Sequence, residues 1–144
     1  MMRQLNCVVL ALRGTSSARD VLMDLVCEAV VCELGGVAGE AHGGMLRAAE
    51  RLSDRLLTLV LRGLDLLEPR APRSPHVPDV LLTGHSLGGG VAALLAALWR
   101  DRAALPPGRR LQCLTFGCPQ VLDAQHALAL SNFTTSASEV ASRS

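Results

Sequence analysis

The sequence predicts an α/β protein with a largely parallel sheet. Short aliphatic runs recur along it, at Leu5–Leu12 (LNCVVLAL), Asp79–Thr83 (DVLLT) and Leu111–Phe116 (LQCLTF). These runs alternate with stretches of helical periodicity, and such alternation implies parallel strands with helices laid on the sheet. The runs are also nearly continuous in hydrophobicity, as strands buried on both faces tend to be.

Leu5–Leu12 is the first strand, and Arg13-Gly14-Thr15-Ser16-Ser17 is the polar turn that ends it. Ser17 can cap a short helix through Leu25, with Asp20 in its first turn. Val26–Leu34 fits strand or helix equally, and Gly35-Gly36 breaks it. From Gly44 to Leu67 the period is helical. Met45, Ala49, Leu52, Leu56, Leu59 or Val60, and Leu67 form one face, while Arg47, Glu50, Arg51, Asp54, Thr58, Arg62 and Asp65 form the other. Glu68–Pro78 carries four prolines and reads as a loop. Asp79–Thr83 is a strand, and Ser86–Arg102, apolar nearly all round, is a buried helix. Pro106-Pro107-Gly108 is a turn, Leu111–Phe116 a strand, and Val121–Leu130 a further helix. Ser131–Ser144 is mostly Ser, Thr and Ala and reads as a poorly ordered tail, which leaves residues 1–130 as one domain.

Composition narrows the function. Of 144 residues, 49% are hydrophobic and only 2% aromatic, so the core must be aliphatic. The net charge of +1, with no dense basic run, argues against nucleic acid as a partner. No apolar run approaches the ~20 residues that span a bilayer, so no transmembrane segment is expected. The opening MMRQLNCVVLALRGTSS has too short an apolar stretch for a signal peptide, runs into Arg13 and lacks a small-x-small cleavage pattern. Five irregularly spaced cysteines, two in apolar runs, fit free thiols in a reducing compartment better than disulfides or zinc. The expectation is therefore a cytoplasmic chain, at most peripheral to membranes, with no metal and no organic cofactor.

The chemistry is concentrated at Gly84-His85-Ser86-Leu87-Gly88. A strand that ends in Gly-x-Ser-x-Gly and opens a helix is a nucleophile elbow. Ser86 would sit at the tip of a strained turn, with Gly84 and Gly88 bare so that strand and helix can approach. The helix N-terminus would direct its free N–H groups at the site, with that of Leu87 placed to hold an oxyanion. The bland alternative is an ordinary turn in which Ser86 caps the helix.

With these motifs the chain resembles the class 3 (fungal-type) lipases of the α/β-hydrolase fold, and among them the sn-1-specific diacylglycerol lipases. Three blocks carry the resemblance: VVLALRGTSSARDVLMDL (Val8–Leu25), AHGGMLRAAERL (Ala41–Leu52) and VLLTGHSLGGGVAALLA (Val80–Ala96). CLTFGCPQVL (Cys113–Leu122) is a weaker fourth. The resemblance implies a three-layer α/β sandwich and makes Ser86 the nucleophile. Thr15 becomes the second oxyanion-hole residue beside Leu87; taken alone, it is only a turn residue. Asp20, Asp24 and His42 match positions that look structural, and His85 a variable elbow position. The implied substrate is an acylglycerol or other lipid ester, diacylglycerol above all, met at a membrane or lipid interface.

The pattern fails after Ser136. The triad order of this fold is Ser, then Asp or Glu, then His. Where the family has a segment resembling Gly-x-Asp-x-Val-Pro-Arg, this chain reads ASEVASRS from Ala137. No aspartate follows Asp123 and no histidine follows His126. Glu139 stands near the expected acid, but its surroundings do not match. Asp123 and His126, three apart, are expected on an exposed helix face. The triad acid and base are thus expected to be missing, and the chain to be the N-terminal half to two-thirds of a lipase domain. Three readings follow: a serine hydrolase of acylglycerols, an impaired lipase fold that binds lipid or a protein partner, and a generic carboxylesterase or acyltransferase. The Arg13-Gly14-Thr15 block weighs against the last.

Overall fold

The structure is a computed structural model that describes residues 6–14, 29–67, 77–130 and 134–136. The residues read above as the Ser17–Leu25 helix, including Asp20 and Asp24, lie outside the described residues, as do Thr15, Cys27, most of the proline loop and Glu139.

Six strands and three helices are described. Strand β1 is Val8–Leu12, β2 Ala29–Leu34 and β3 Val37–His42. Helix α1 is Gly43–Leu67, followed by β4 Val80–His85, helix α2 Leu87–Asp101, β5 Leu111–Phe116, helix α3 Ala124–Leu130 and β6 Thr134–Ser136. The main sheet has the order β1-β4-β5-β6 and is parallel throughout, with Val8 opposite Val80, Val80 opposite Leu111, and Cys113 opposite Thr134. Strands β2 and β3 form a separate antiparallel hairpin.

Helix α2 is the centre of the core. Every residue from Gly88 to Trp99 is buried, because the helix lies between the sheet (β1, β4 and β5) on one side and α1 on the other. Its near-uniform apolarity is what such a position demands. The sheet face turned toward α2 carries the buried Val80, Leu82, Cys113 and Thr115. The opposite face is only partly covered among the described residues, and Val9 is 57% exposed. Among the described residues, the burial on both faces read from the apolar runs therefore holds for one face only.

The N-terminal ends of the strands are tied together by the buried Asp79. Its carboxylate accepts the Arg110 N–H at 2.8 Å and meets the Arg109 guanidinium at 3.3 Å. Its carbonyl accepts the Val8 N–H at 2.9 Å, and its own N–H donates to Arg110 O at 3.0 Å. One residue thus joins the segments leading into β1, β4 and β5, its backbone reaching β1 and its carboxylate the Arg109–Arg110 segment, with its charge paired as burial requires.

Three sequence expectations change. Ala29–Leu34, the described part of Val26–Leu34, is a strand, and Val37–His42, which the sequence left unassigned, is its hairpin partner. Gly35 and Gly36 both have positive φ (64° and 73°), as the two-residue primed hairpin turn requires. On α1 the buried residues are Met45, Leu46, Ala49, Ser53, Val60 and Leu64. Leu52 and Leu59 are instead 39% and 52% exposed. The helix is rotated because Trp99 Nε1–H of α2 donates to Ser53 Oγ at 3.0 Å, which draws a small polar residue into the core. Finally, Thr134–Ser136 is a strand paired with β5, inside the segment read as an unstructured tail.

Ser53→Ala should therefore leave the buried Trp99 N–H without an acceptor. Urea unfolding is expected to show a loss of about 1–3 kcal/mol at unchanged m-value.

Candidate active site

Ser86 joins β4 to α2 with φ 54° and ψ −127°. A side chain is costly there, by about 1–3 kcal/mol, and the conformation persists only where neighbours over-determine it. The Ser86 N–H donates to Phe116 O at 2.9 Å, and its carbonyl accepts the Gly90 N–H at 3.1 Å. Its side chain makes no capping bond to α2, although it occupies the capping position. The ordinary N-cap reading fails on that observation, because a capping serine spends its hydroxyl on the first-turn N–H groups.

Two glycines make the turn possible. A β-carbon on Gly84 would lie 2.4 Å from Gly88 O, and one on Gly88 would lie 2.3 Å from Leu12 O. Both obstacles are backbone and cannot swing aside. The second also shows what borders the elbow: the chain leaving β1. Gly14 packs on it so closely that a β-carbon there would stand 2.5 Å from His85 O. Thr15, the next residue, lies outside the described residues. Leu87 opens α2, so its N–H belongs to the first turn, which has no intrahelical acceptor. The helix dipole adds partial positive charge at the same place.

The structure accounts for three of the four histidines; His76 lies outside the described residues. His85 is exposed, with Nε2 against Gly117, where a β-carbon would lie 3.3 Å from it. His42 Nδ1 accepts the Met45 N–H at 3.4 Å and so caps α1. An accepting Nδ1 puts the proton of the neutral ring on Nε2. His126 is fully buried, not on an exposed face as the sequence suggests. Its Nε2 lies 2.7 Å from Val37 O, and its Nδ1 3.5 Å from Asp123 Oδ1. Asp123 accepts the His126 N–H at 2.9 Å and the Glu40 N–H at 2.7 Å. The pair therefore fastens α3 to the β2–β3 hairpin. Those two hydrogen bonds, His126 N–H first, hold the Asp123 carboxyl below its ordinary value of 3.8. A cleft of about 260 Å³ runs along this junction, lined by Glu40, His42, Gln120 and Asp123 among others, and none of the elbow residues lines it.

No group of three or more His, Cys, Asp or Glu suited to a metal occurs among the described residues. The four described cysteines are free, and burial pushes the Cys113 thiol up to about 12. Among the described residues no helix is long and apolar enough to cross a membrane.

A strained serine between close-packed glycines can be compared with known proteins. The Lipase (class 3) family profile matches residues 9–142. The chain belongs to the class 3 lipase family. It is 40% identical over 95 residues to diacylglycerol lipase-beta of Mus musculus, which covers 65% of this chain and 13% of that protein. It is 30% identical over 126 residues to diacylglycerol lipase-alpha of Homo sapiens, covering 86% of this chain and 12% of that protein. Among solved structures, the lipase of Rhizopus microsporus var. chinensis matches with TM-score 0.66 at 25% identity, over 92% of this chain and 45% of that one. Lipase II of Rhizopus niveus matches with TM-score 0.65 at 26% identity, over 89% and 48%. This class 3 lipase chain thus has the α/β-hydrolase fold in part. It spans under half the length of those fungal lipases and 12–13% of those diacylglycerol lipases.

Two measurements test this geometry. Gly88→Ala should cost about 1–3 kcal/mol in chemical denaturation, because the obstructing atom is a backbone carbonyl. Asp123 should give the stability an acid limb. Its carboxyl is held lower in the folded chain than in the unfolded one, so the unfolded chain binds more protons at low pH. The contribution is complete above about pH 5 and is lost as pH falls through the lowered folded value. Asp123→Asn should flatten that limb in urea midpoints taken between about pH 5 and pH 2.

Proposed function

We propose that this chain carries the nucleophile-bearing part of a lipase that cleaves acylglycerol esters, diacylglycerol foremost, through an acyl-enzyme. The observation that supports this most directly is the backbone of Ser86, strained at φ 54° with its hydroxyl spent on no cap. The substrate class rests on the family and on the two diacylglycerol lipases named above.

In this reading Ser86 Oγ attacks the ester carbonyl carbon and loses its proton to a base. The carbonyl oxygen becomes an oxyanion that takes hydrogen bonds from the Leu87 N–H and from Thr15, each donor worth about 3–4 kcal/mol of barrier. Collapse breaks the ester C–O bond, and the glycerol oxygen leaves with a proton. Water then attacks the acyl-serine, releases the fatty acid and returns the proton to Ser86. No metal or organic cofactor enters. The substrate is met at a membrane or lipid surface, since diacylglycerol does not leave one readily.

The base is the open position. His42 Nδ1 accepts the Met45 N–H, His126 Nε2 lies against Val37 O, and Asp123 accepts two backbone N–H groups, so none of these three is joined to Ser86. That supports a second reading, in which the fold binds acylglycerol with little turnover. A serine without its base keeps only the oxyanion hole, and loss of triad members costs a factor of about 10⁴–10⁶.

A fluorophosphonate probe distinguishes the two. Labelling of the folded chain that is abolished by Ser86→Ala is expected if Ser86 is activated. Folded protein that takes up no label, yet still binds diacylglycerol micelles, would favour the second reading. Hydrolysis that survives Ser86→Ala would refute the nucleophile assignment outright.

A further inference from the structure

The strained backbone of Ser86 is held at both ends. Its N–H donates to Phe116 O at 2.9 Å, and its carbonyl accepts the Gly90 N–H at 3.1 Å. A residue at positive φ stays there only while its surroundings over-determine it. Phe116 and Gly90 are therefore the two anchors of the elbow.

Gly90 is wedged between two side chains. A β-carbon on it would lie 2.6 Å from Met45 Sδ and 2.7 Å from Val121 Cγ1. Met45 belongs to the start of α1, and Val121 to the segment that leaves β5. They are 3% and 6% exposed, so core packing fixes both in place. The segment that begins at Phe116 thus serves both anchors. Its first carbonyl takes the Ser86 N–H, and five residues on its valine backs Gly90.

His42 ties the two wedges to each other. Its backbone N–H donates to Val121 O at 2.9 Å. Its Nδ1 accepts the Met45 N–H at 3.4 Å. The contacts close a ring, from Gly90 to Met45, to His42, to Val121 and back to Gly90. Strand β3 steadies the ring from outside. Ala41 bridges to Leu122, and the Asp123 N–H donates to Glu40 O at 3.0 Å.

We infer that Val121, Met45 and His42 are positioning residues for Ser86. They clasp the first turn of α2 through Gly90 and so keep the serine hydroxyl presented. Ordinary core residues would behave differently when cut back, lowering the stability of the chain as a whole. Loss of a clasp loosens the elbow first.

The purpose of the clasp rests on the nucleophile reading, but its existence does not. Amide hydrogen exchange of the whole chain, followed by NMR, tests it without turnover. Val121→Ala should lower the protection of the Ser86 and Gly90 amides about tenfold relative to those of Leu94 and Leu95 in the middle of α2. Val60→Ala removes the same two methyl groups from a comparably buried place farther along α1, and should move all four amides together. His42→Ala should act as Val121→Ala does. His42→Asn, which keeps an acceptor for the Met45 N–H, should stay within about twofold of the wild type. Where the wild type takes fluorophosphonate label, Val121→Ala should slow labelling of Ser86 about tenfold, and Val60→Ala should not. The clasp is overturned if Val121→Ala shifts the Ser86 and Gly90 amides no further than Val60→Ala does, or if His42→Asn loses as much protection as His42→Ala. Labelling unchanged in Val121→Ala, despite loosened amides, would overturn the positioning role. A wild type that takes no label while exchange follows the expected pattern would refute an activated serine and leave the clasp standing.

Discussion

Helix α2 leaves β4 so steeply that a β-carbon on Gly84 would stand 2.4 Å from the carbonyl of Gly88. The rest of the molecule is arranged around that close approach. It aims the first turn of α2 back along β4, so the free N–H groups and the positive end of the dipole meet at Ser86. It also lays α2 on the sheet beneath α1, and between the two the helix is buried from Gly88 to Trp99. The alanines and leucines after Gly90 follow from that position. Helix α1 must then cover α2, and Ser53 must answer the one polar atom that Trp99 brings inside. The same approach leaves room for β1's exit only if Gly88 is bare, and this joins the oxyanion-side segment to the elbow.

Much of this could be read from the residues, for physical reasons. Strand β5 was legible to the residue, and β4 and α2 to within two, because Gly84 and Gly88 mark a change from period-free apolar strand to buried helix. The place of Ser86 at the junction of strand and helix was legible for the same reason. The β2–β3 hairpin was less so. VAGEAH has only one β-branched residue and a central glycine, so propensity argues against a strand there. Yet Gly35-Gly36 between two short runs is itself a hairpin signal. Gly39 has its own reason, since a β-carbon would lie 2.3 Å from Asp123 Oδ2. That contact, 84 residues away in sequence, overrides local preference.

The rotation of α1 was only partly legible. Val60, one of the two residues read at its position, is buried, but periodicity allows Leu52 to face the core as readily as Ser53, and hydrophobicity prefers the leucine. The outcome turns on a tertiary contact, the Trp99–Ser53 hydrogen bond, that leaves no local trace. His126 misleads for a similar reason. Asp123 and His126 at i and i+3 look like a polar helix face, but Asp123 caps the helix and His126 points inward onto the hairpin carbonyl of Val37. Burial was decided by a strand that the sequence left unassigned.

The strain at Ser86 bears on how much catalysis the turn alone implies. An ordinary βα turn reaches the same strand and helix with its capping residue in the β region at no conformational cost. Here a non-glycine residue sits at positive φ, held by Phe116 O on one side and the Gly90 N–H on the other. Nothing in the packing of α2 needs a side chain at that position, since a glycine would adopt the conformation more cheaply. What the conformation does provide is a hydroxyl kept away from the helix's own N–H groups, so the serine and the oxyanion donors remain separate and can act on one carbonyl. In the proposed function that division of roles presents the serine as a nucleophile. It says nothing about the base that would activate it, because the elbow is fixed by glycines and backbone hydrogen bonds in which no triad member takes part. Presentation and activation are therefore physically independent here, and a chain with this turn can hold a nucleophile ready without being able to turn over substrate.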